Sequence, residues 1–228
     1  LRKLKILCVH KLVCHKEFFF HNLLENKVSS VAEYAKKRGI SNETIKKFML
    51  GAAPDEWDST LKFLSTKDYT QDEMLEAGVI LRNPENNNIY DRFRNRLIFP
   101  IKDELSRTVG FSARTINDNE KEAKYVNSPE TPIFRKSKIL YAMDIAKDNI
   151  RKLDFSIICE GQLDVIAMHI AGINNAVAPQ GTSFTSEQAA ILKRYSNKVY
   201  ICFDDDDAGR KAILRAIEIL LSLDMEPF

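Results

Sequence analysis

Residues 154–172 read DFSIICEGQLDVIAMHIAG, a short apolar run that passes directly into a helical pattern and ends at Gly172. We predict a strand over residues 155–159 and a helix over residues 163–171. The same alternation continues through predicted strands at 176–178 and 199–203 and helices after Thr185 and at 208–223. This strand–helix order predicts a parallel, Rossmann-like sheet with helices on both faces.

Carboxylates follow two of these predicted strands. Glu160 comes directly after the first, and Asp164 lies four residues on, in the first turn of the next helix. Asp204 and Asp206 follow the third strand. Because residues two apart in an extended segment point the same way, these two can share a target while Asp205 faces elsewhere. The carboxyl ends of parallel strands form one edge, where functional crevices lie.

Converging carboxylates repel one another, and a hard cation such as Mg²⁺ or Mn²⁺ relieves that cost. The sequence therefore predicts Glu160, Asp204 and Asp206 as metal ligands and catalytic residues, with Asp164 beside them. Such a site serves phosphoryl and nucleotidyl transfer. Taken alone, the four acids at 204–207 also fit an acidic turn that caps the following helix.

Composition places the chain among ordinary globular proteins, with 44% hydrophobic and 29% charged residues in 228. No apolar run reaches the length of a membrane span, and no signal-peptide pattern opens the chain. Four cysteines without paired spacing indicate reduced thiols in a cytoplasmic protein. We therefore expect a cytoplasmic location and no membrane partner.

Charge is divided unevenly along the chain. The net charge is +2, but residues 1–150 carry a balance of +5 and residues 151–228 a balance of −3. A basic part followed by an acidic part suits a groove for a polyanion beside a metal site. Ordinary surface fluctuation explains the same division equally well.

The first 80 residues have a helical texture. Ser29-Ser30 precede a helix over 31–38 that stops at Gly39, a second helix begins after Ser41 or Asn42 and fades near residues 51–54, and Thr70 with Glu73 forms a capping box ahead of a third. From residue 90 to 141 the texture changes to short β-like runs at 96–101, 108–114 and 124–129, followed by a helix at 141–152. We divide the chain into a helical lead-in (1–28), a basic α+β subdomain (29–150) and the parallel-sheet subdomain (151–228).

Three segments of the last subdomain resemble the TOPRIM module that DnaG-type primases share with topoisomerases and some nucleases. They are EGQLD at 160–164, Gly181-Thr182, and FDDDDAG at 203–209. The resemblance implies the same metal-site carboxylates. Gln162-Leu163 and Asp205 depart from the family pattern. The module normally continues into a further acidic strand, so the resemblance also implies a subdomain cut short at its C-terminus, with an incomplete metal site.

The basic subdomain distinguishes primases from the other families that contain a TOPRIM module. RFRNRLIFPI at 92–101, GFSAR at 110–114 and KYVNSPETPIF at 124–134 are very similar to the primase-specific part of bacterial DnaG-type DNA primases, in their RNA polymerase catalytic core. Position by position, the resemblance implies that template or nucleotide phosphates contact the basic residues Arg38, Arg114, Lys124 and Lys136. Asn127 and Ser128 either bind nucleotide phosphates or shape their loop.

Zinc-type residues near the N-terminus do not form a convincing motif. Cys8, His10, Cys14 and His15 lack the paired spacing of a zinc site, and their apolar neighbours indicate a partly buried helix. We expect no zinc here. The family carries zinc in a separate domain, and its helicase-binding domain also lies outside this sequence.

Three hypotheses follow. The first is a nucleotidyltransferase of the primase type, which makes short RNA primers on single-stranded DNA from ribonucleoside triphosphates at the replication fork, with the replicative helicase as a partner of the whole protein. The second is another TOPRIM enzyme, a nuclease or a topoisomerase with Tyr195 or Tyr200 as nucleophile. The third is a nucleic-acid-binding fragment that does not turn over.

Overall fold

The computed structural model describes residues 2–117, 122–181 and 183–228, with side chains from Leu12 onward. The chain forms two compact units, one of Leu1–Ile101 with Thr108–Phe134 and one of Lys102–Arg107 with Arg135–Phe228. Each unit mixes helices and strands, which confirms the predicted fold class. The domain boundaries proposed from the sequence remain predictions.

The first unit holds the helices α1 (Arg2–Leu24), α2 (Ser29–Lys37), α3 (Asn42–Phe48), α4 (Ser59–Ser65) and α5 (Gln71–Glu76). Its strands are β1 (Gly51–Ala53), β2 (Ile80–Arg82), β3 (Ile89–Asp91), β4 (Arg96–Lys102), β5 (Thr108–Thr115) and β6 (Tyr125–Asn127). One sheet has the order β1-β4-β5-β6, and β2 pairs with β3 in a separate antiparallel ribbon. The predicted β-like runs at 96–101 and 108–114 correspond to β4 and β5.

Aromatic side chains fix α1 against the first sheet. Phe19 of α1 is buried and meets Phe111 of β5 edge-on, with ring centroids 5.8 Å apart. Phe93 packs against both rings, and the His15 ring lies 4.8 Å from that of Phe19. Burying a phenylalanine side chain contributes roughly 1.5–3 kcal/mol. This cluster is the core on which the sheet rests.

The capping box predicted ahead of α5 is confirmed. The Thr70 hydroxyl accepts from the backbone N–H of Glu73 at 3.3 Å, and the Glu73 carboxylate accepts from the N–H of Thr70 at 2.8 Å. Gly78 follows with a φ of +68°, and a Cβ there would collide with the ring of Pro129. The end of α5 therefore packs tightly on the loop that follows β6.

The helical interpretation of the first 80 residues is wrong at β1. Gly51–Ala53 pairs with β4 in antiparallel register, Gly51 opposite Ile98. A Cβ on Gly51 would run into Phe19, so α1 crosses this strand at close range. Three residues carry no strand signal of their own, and only the distant partner strand makes this segment extended.

The second unit contains α6 (Met143–Leu153), α7 (Gln162–Ile170), α8 (Ser186–Lys193) and α9 (Asp207–Ser222), with a 3₁₀ turn at Lys136–Lys138. Its strands are β7 (Ser156–Cys159), β8 (Ala176–Val177), β9 (Lys198–Cys202) and β10 (Glu226–Pro227). They form one parallel sheet in the order β10-β9-β7-β8. The three predicted strands and the helices between and after them occur in the predicted order, and β10 was not predicted.

Helices cover both faces of this parallel sheet, as the sequence predicted. Ile158 and Val199 contact the apolar stripes of α6, α8 and α9 in one core cluster. Helix α7 packs on β7 and β8 from the opposite face, burying Val165 and Ile166. The capping box of Thr185 with Gln188 opens α8, again as predicted.

Helix α1 spans 23 residues, but its sequence contains charged and polar residues throughout. Within the described ranges, no helix combines the length and the apolar character that a membrane crossing requires.

Candidate acidic site and cationic surface

Glu160 and Asp204 meet at one edge of the parallel sheet. Glu160 directly follows β7, and Asp204 follows β9 after one intervening residue. The last residues of these strands, Cys159 and Cys202, are register partners. The backbone N–H of Asp204 donates to the Glu160 carboxylate at 3.2 Å. Both acids are exposed to solvent. The structure therefore brings together two acidic residues that lie 44 residues apart in the sequence.

Asp206 caps helix α9. Its carboxylate accepts from the backbone N–H of Gly209 at 2.7 Å. Gly209 is buried, and a Cβ at that position would run into the main-chain oxygen of Asp204. The first turn of α9 is thus packed against the acidic loop, which fixes the backbone of Asp204 relative to the helix.

Asp164 has a similar role at the start of α7. Its carboxylate accepts from the backbone N–H of Gly161 at 2.9 Å, which places it in the turn that follows Glu160. Gln162, which departs from the family pattern, is buried and donates through its side-chain amide to that of Gln180 at 3.1 Å. This bond ties the turn after β7 to the loop after β8. Thr182 of that loop lies outside the described residues.

Asp205 and Asp207 have a different partner. Arg210 pairs with Asp205 at 2.9 Å and with Asp207 at 3.7 Å. All of these side chains are largely exposed, so the pairs are weak. The acidic loop thus divides its carboxylates between the helix cap, the arginine and the edge of the sheet.

The chemistry of the donors fits a hard divalent cation. Glu160, Asp204 and Asp206 offer carboxylate oxygens alone, and Mg²⁺ and Mn²⁺ prefer such ligands. Among the residues that the structure describes, however, no three His, Cys, Asp or Glu side chains stand close enough to hold a metal ion. The metal site remains a prediction.

A cationic cluster forms around Tyr34 in the first unit. Arg114 of β5 donates to the Tyr34 hydroxyl at 2.5 Å and to the Tyr125 hydroxyl at 3.0 Å. Arg38 lies over the Tyr34 ring at 5.4 Å. Lys124 is exposed and directly precedes Tyr125. The structure therefore gathers Arg38 and Arg114 at Tyr34, with Lys124 next to Tyr125 along the chain, whereas Lys136 belongs to the second unit, where its carbonyl accepts from Gln188.

Asn127 ends β6 at a partly buried position, and Ser128 follows it at a buried one. The Ser128 hydroxyl accepts from the N–H of Phe111 at 3.0 Å, and the residue is 1% exposed. This geometry favours the loop-shaping alternative for Ser128. The side-chain oxygen of Asn127 is buried and has no hydrogen-bond partner among the described residues.

A second cationic feature, the Trp57 platform, was not predicted from the sequence. The guanidinium carbon of Arg94 lies 3.9 Å from the centre of the Trp57 ring, and Tyr90 meets the same indole edge-on at 5.6 Å. Trp57 is 65% exposed although it is the largest side chain in the protein. Its sequence signal, a lone tryptophan after Pro54, was visible, but the stacking partner lies 37 residues away.

A polar cavity of about 370 Å³ adjoins Arg94. Arg92 and Arg96 line it together with Asn95, Asn117 and Glu122. Burial lowers the pKa of both Arg92 and Arg96, and the Nε of Arg92 is buried and has no hydrogen-bond partner in the described part of the chain. Arg96 already donates to the carbonyl of Ala123 and pairs with Glu122, whereas an anionic group would satisfy the free donor of Arg92.

The remaining candidates from the sequence are engaged in packing. The Tyr195 hydroxyl donates to Glu104 at 3.1 Å, and Tyr200 stacks on Phe228. Of the zinc-type residues, Cys8 and His10 have side chains outside the described set. Burial lowers the pKa of His15 to about 3, so this ring is neutral in the core.

Comparison with known families covers most of the chain. Residues 18–147 match the DNA primase catalytic core, N-terminal domain, and residues 157–227 match a Toprim-like family. The DNA primase of Clostridium acetobutylicum is 46% identical over 204 residues, which are 89% of this chain and 33% of that protein. The chain spans about a third of the length of the curated relatives it matches.

Solved structures agree with this comparison. The zinc-binding and RNA polymerase domains of the Aquifex aeolicus primase match with a TM-score of 0.89 and 36% identity, over 99% of this chain and 54% of that one. The DnaG primase catalytic domain bound to single-stranded DNA matches with a TM-score of 0.88 and 35% identity, over 97% of this chain and 70% of that one.

Proposed function

This chain belongs to the DnaG-type family of DNA primase catalytic cores, and from that premise we propose that it synthesises short RNA primers on single-stranded DNA. The reaction is nucleotidyl transfer, templated by DNA and supplied with ribonucleoside triphosphates. The relatives are longer, and a replicative helicase is the partner we propose for the whole protein.

The contact between Asp204 and Glu160 carries this proposal. It brings carboxylates from two strand ends to the same edge of a parallel sheet, the place where open α/β folds bind their ligands. We propose that Glu160, Asp204 and Asp206 hold Mg²⁺ or Mn²⁺. When bound, the metal neutralises charge on the phosphate oxygens that react. Asp164 positions the turn that carries Glu160.

The cationic cluster around Tyr34 supports a role in holding phosphates. Arg38, Arg114 and Lys124 supply positive charge without reading bases, which suits an enzyme that starts at many sequences. We propose that Lys136 contributes similarly in its own unit. Asn127 offers a buried acceptor next to this surface, and we assign Ser128 to holding its loop.

The Trp57 platform supports binding of single-stranded template. Bases stack on exposed aromatic rings whatever their identity, at about 1–3 kcal/mol per base. Arg94 covers the indole, and the arginines that line the adjacent cavity offer donors for a phosphate. A related catalytic domain has been solved with single-stranded DNA bound.

Replacement of one carboxylate tests the proposal. Glu160→Gln keeps the size of the side chain but removes its charge, so we expect primer synthesis on single-stranded DNA to fall by at least about 100-fold, while affinity for the DNA is unchanged. The assay measures incorporation of ribonucleotides with Mg²⁺, with Mn²⁺ and with a chelator.

Glu218→Gln is the matched control, because Glu218 is an exposed acid on α9 away from the sheet edge. It should retain full activity. Undiminished synthesis by Glu160→Gln would refute the assignment. Nicking of supercoiled plasmid without primer synthesis would favour a nuclease or topoisomerase, and DNA binding without incorporation under any metal would favour a binding fragment.

A further inference from the structure

Two cysteines face each other across neighbouring strands beside the acidic edge. Cys159 ends β7 and Cys202 ends β9, and the two are direct register partners in a parallel pair. Neighbouring strands lie about 4.8 Å apart, and register partners project from the same face of the sheet. Both thiols are free in this structure.

The two thiols differ in their access to solvent. Cys159 is fully buried, whereas Cys202 is exposed. Helix α7 explains the difference, because it packs on β7 and β8 and leaves β9 open. Tyr200, two residues earlier on the same face of β9, is likewise 45% exposed. An oxidant in solution can therefore reach one thiol of the pair, while the other lies next to it in the protein.

We propose that Cys159 and Cys202 form a reversible disulfide and are a redox-modification site. A disulfide joins Cα atoms roughly 4.4–6.8 Å apart, and the strand spacing falls inside that range. The backbone hydrogen bonds of β7 and β9 already hold the two cysteines in register, within reach of such a bond.

The chemistry balances with hydrogen peroxide as oxidant. The sulfur of Cys202 attacks one peroxide oxygen, the O–O bond breaks, and a sulfenic acid and water result. The sulfur of Cys159 then attacks the sulfenic sulfur. The S–S bond forms, the S–O bond breaks, and hydroxide leaves with the thiol proton as a second water. A reduced dithiol restores both thiols by exchange.

The position of the pair gives the bond a consequence for catalysis. Cys159 directly precedes Glu160, and Cys202 lies two residues before Asp204. Drawing the two sulfurs into a bond changes the spacing of the carboxylates at the sheet edge. The bond itself depends only on the cysteines, but its effect on primer synthesis rests on the proposed function.

Peroxide treatment followed by peptide mapping tests the bond. We expect the intact protein to lose the mass of two hydrogen atoms and to yield a linked Cys159–Cys202 peptide, which dithiothreitol removes. Cys202→Ser and Cys159→Ser should each abolish the linked peptide. Cys14→Ser, a change at a half-buried cysteine on α1, should leave it intact. Recovery of Cys202 as sulfenic or sulfinic acid with Cys159 still a free thiol would overturn the proposal.

The same samples separate the bond from the proposed function. We expect oxidised wild type to lose at least about tenfold of its primer synthesis, with recovery after dithiothreitol, because shifts in groups that support metal ligands have effects of that size. Cys202→Ser should retain its activity under peroxide. A linked peptide in a protein that never makes primers would retain the disulfide and refute the polymerase assignment. If the linked peptide is missing and the protein still makes primers, the disulfide is refuted and the polymerase assignment is retained.

Discussion

The acidic edge of the parallel sheet and the cationic cluster around Tyr34 are built in opposite ways. At the edge, Glu160 and Asp206 are exposed and accept hydrogen bonds from backbone N–H groups. In the cluster, Arg114 is 9% exposed and is held by two tyrosine hydroxyls. The acids are thus placed by the main chain, and the main cation by other side chains. A change of charge should therefore be separable from folding at the edge but not at Arg114.

The largest expected effect is at Arg114. Arg114→Ala removes the two charge-assisted hydrogen bonds to Tyr34 and Tyr125, so we expect the free energy of unfolding to fall by about 2–3 kcal/mol. Affinity for single-stranded DNA should fall as well, with the slope of log affinity against log salt reduced by roughly 0.7. Urea denaturation and DNA titrations at several salt concentrations measure the two effects.

Arg38→Ala is the matched control for that change. Arg38 is exposed, and its guanidinium lies over the ring of Tyr34. It should show the loss of DNA affinity without a comparable loss of stability. If Arg114→Ala proves as stable as Arg38→Ala, the contrast between the two regions disappears.

The second effect concerns His15 in the aromatic core of the first unit. Burial lowers the pKa of His15 to about 3, below its value in the unfolded chain, so the stability it contributes is fully present above pH 6.5 and is lost as the pH falls toward 3. Between pH 6.5 and pH 5 we expect wild type to lose about 2 kcal/mol more than His15→Phe, which cannot take up a proton. Urea denaturation at the two pH values gives the difference.

Phenylalanine is a suitable replacement because the ring of His15 already packs against Phe19 and Phe111. Parallel loss of stability in both proteins on acidification would mean that His15 does not govern the acid sensitivity of this core.

The smallest expected effect on stability is at Asp206, on the acidic edge. Asp206 has two roles, one as the cap of α9 and one as a proposed metal ligand. Asp206→Asn keeps a good capping group and should leave stability nearly unchanged, whereas Asp206→Ala should cost about 1 kcal/mol. Both should lose primer synthesis. Thermal or urea unfolding distinguishes the variants. Equal destabilisation by both would show that the capping hydrogen bond from Gly209 to Asp206 does not stabilise α9.

Much of the second unit could be predicted from the sequence, because its signals are local. The apolar strands, the capping box of Thr185 with Gln188 and the acids that follow the strands all lie within a few residues of the elements they mark. Parallel strands then bring their carboxyl ends to one edge whatever the details of packing. The contact of Glu160 with Asp204 follows from that rule.

The features of the first unit that resisted prediction are those whose key contacts are distant in sequence. Asp91 of β3 is fully buried, and its carboxylate accepts from the N–H groups of Thr60 and Leu61 at the start of α4. Burial raises the pKa of Asp91. A helix cap supplied from 31 residues away leaves no local pattern. The pairing of Trp57 with Arg94 depends on the same long-range folding.

The absence of a side chain at position 209 limits how this protein can vary. The first turn of α9 sits so close to the acidic loop that even a methyl group would push against the main-chain oxygen of Asp204. Neighbouring Asp205 and Asp207 pair with the exposed Arg210 at the surface and can be exchanged at little cost. Directed evolution of this loop would therefore find freedom at those two acids and almost none at the glycine that follows them.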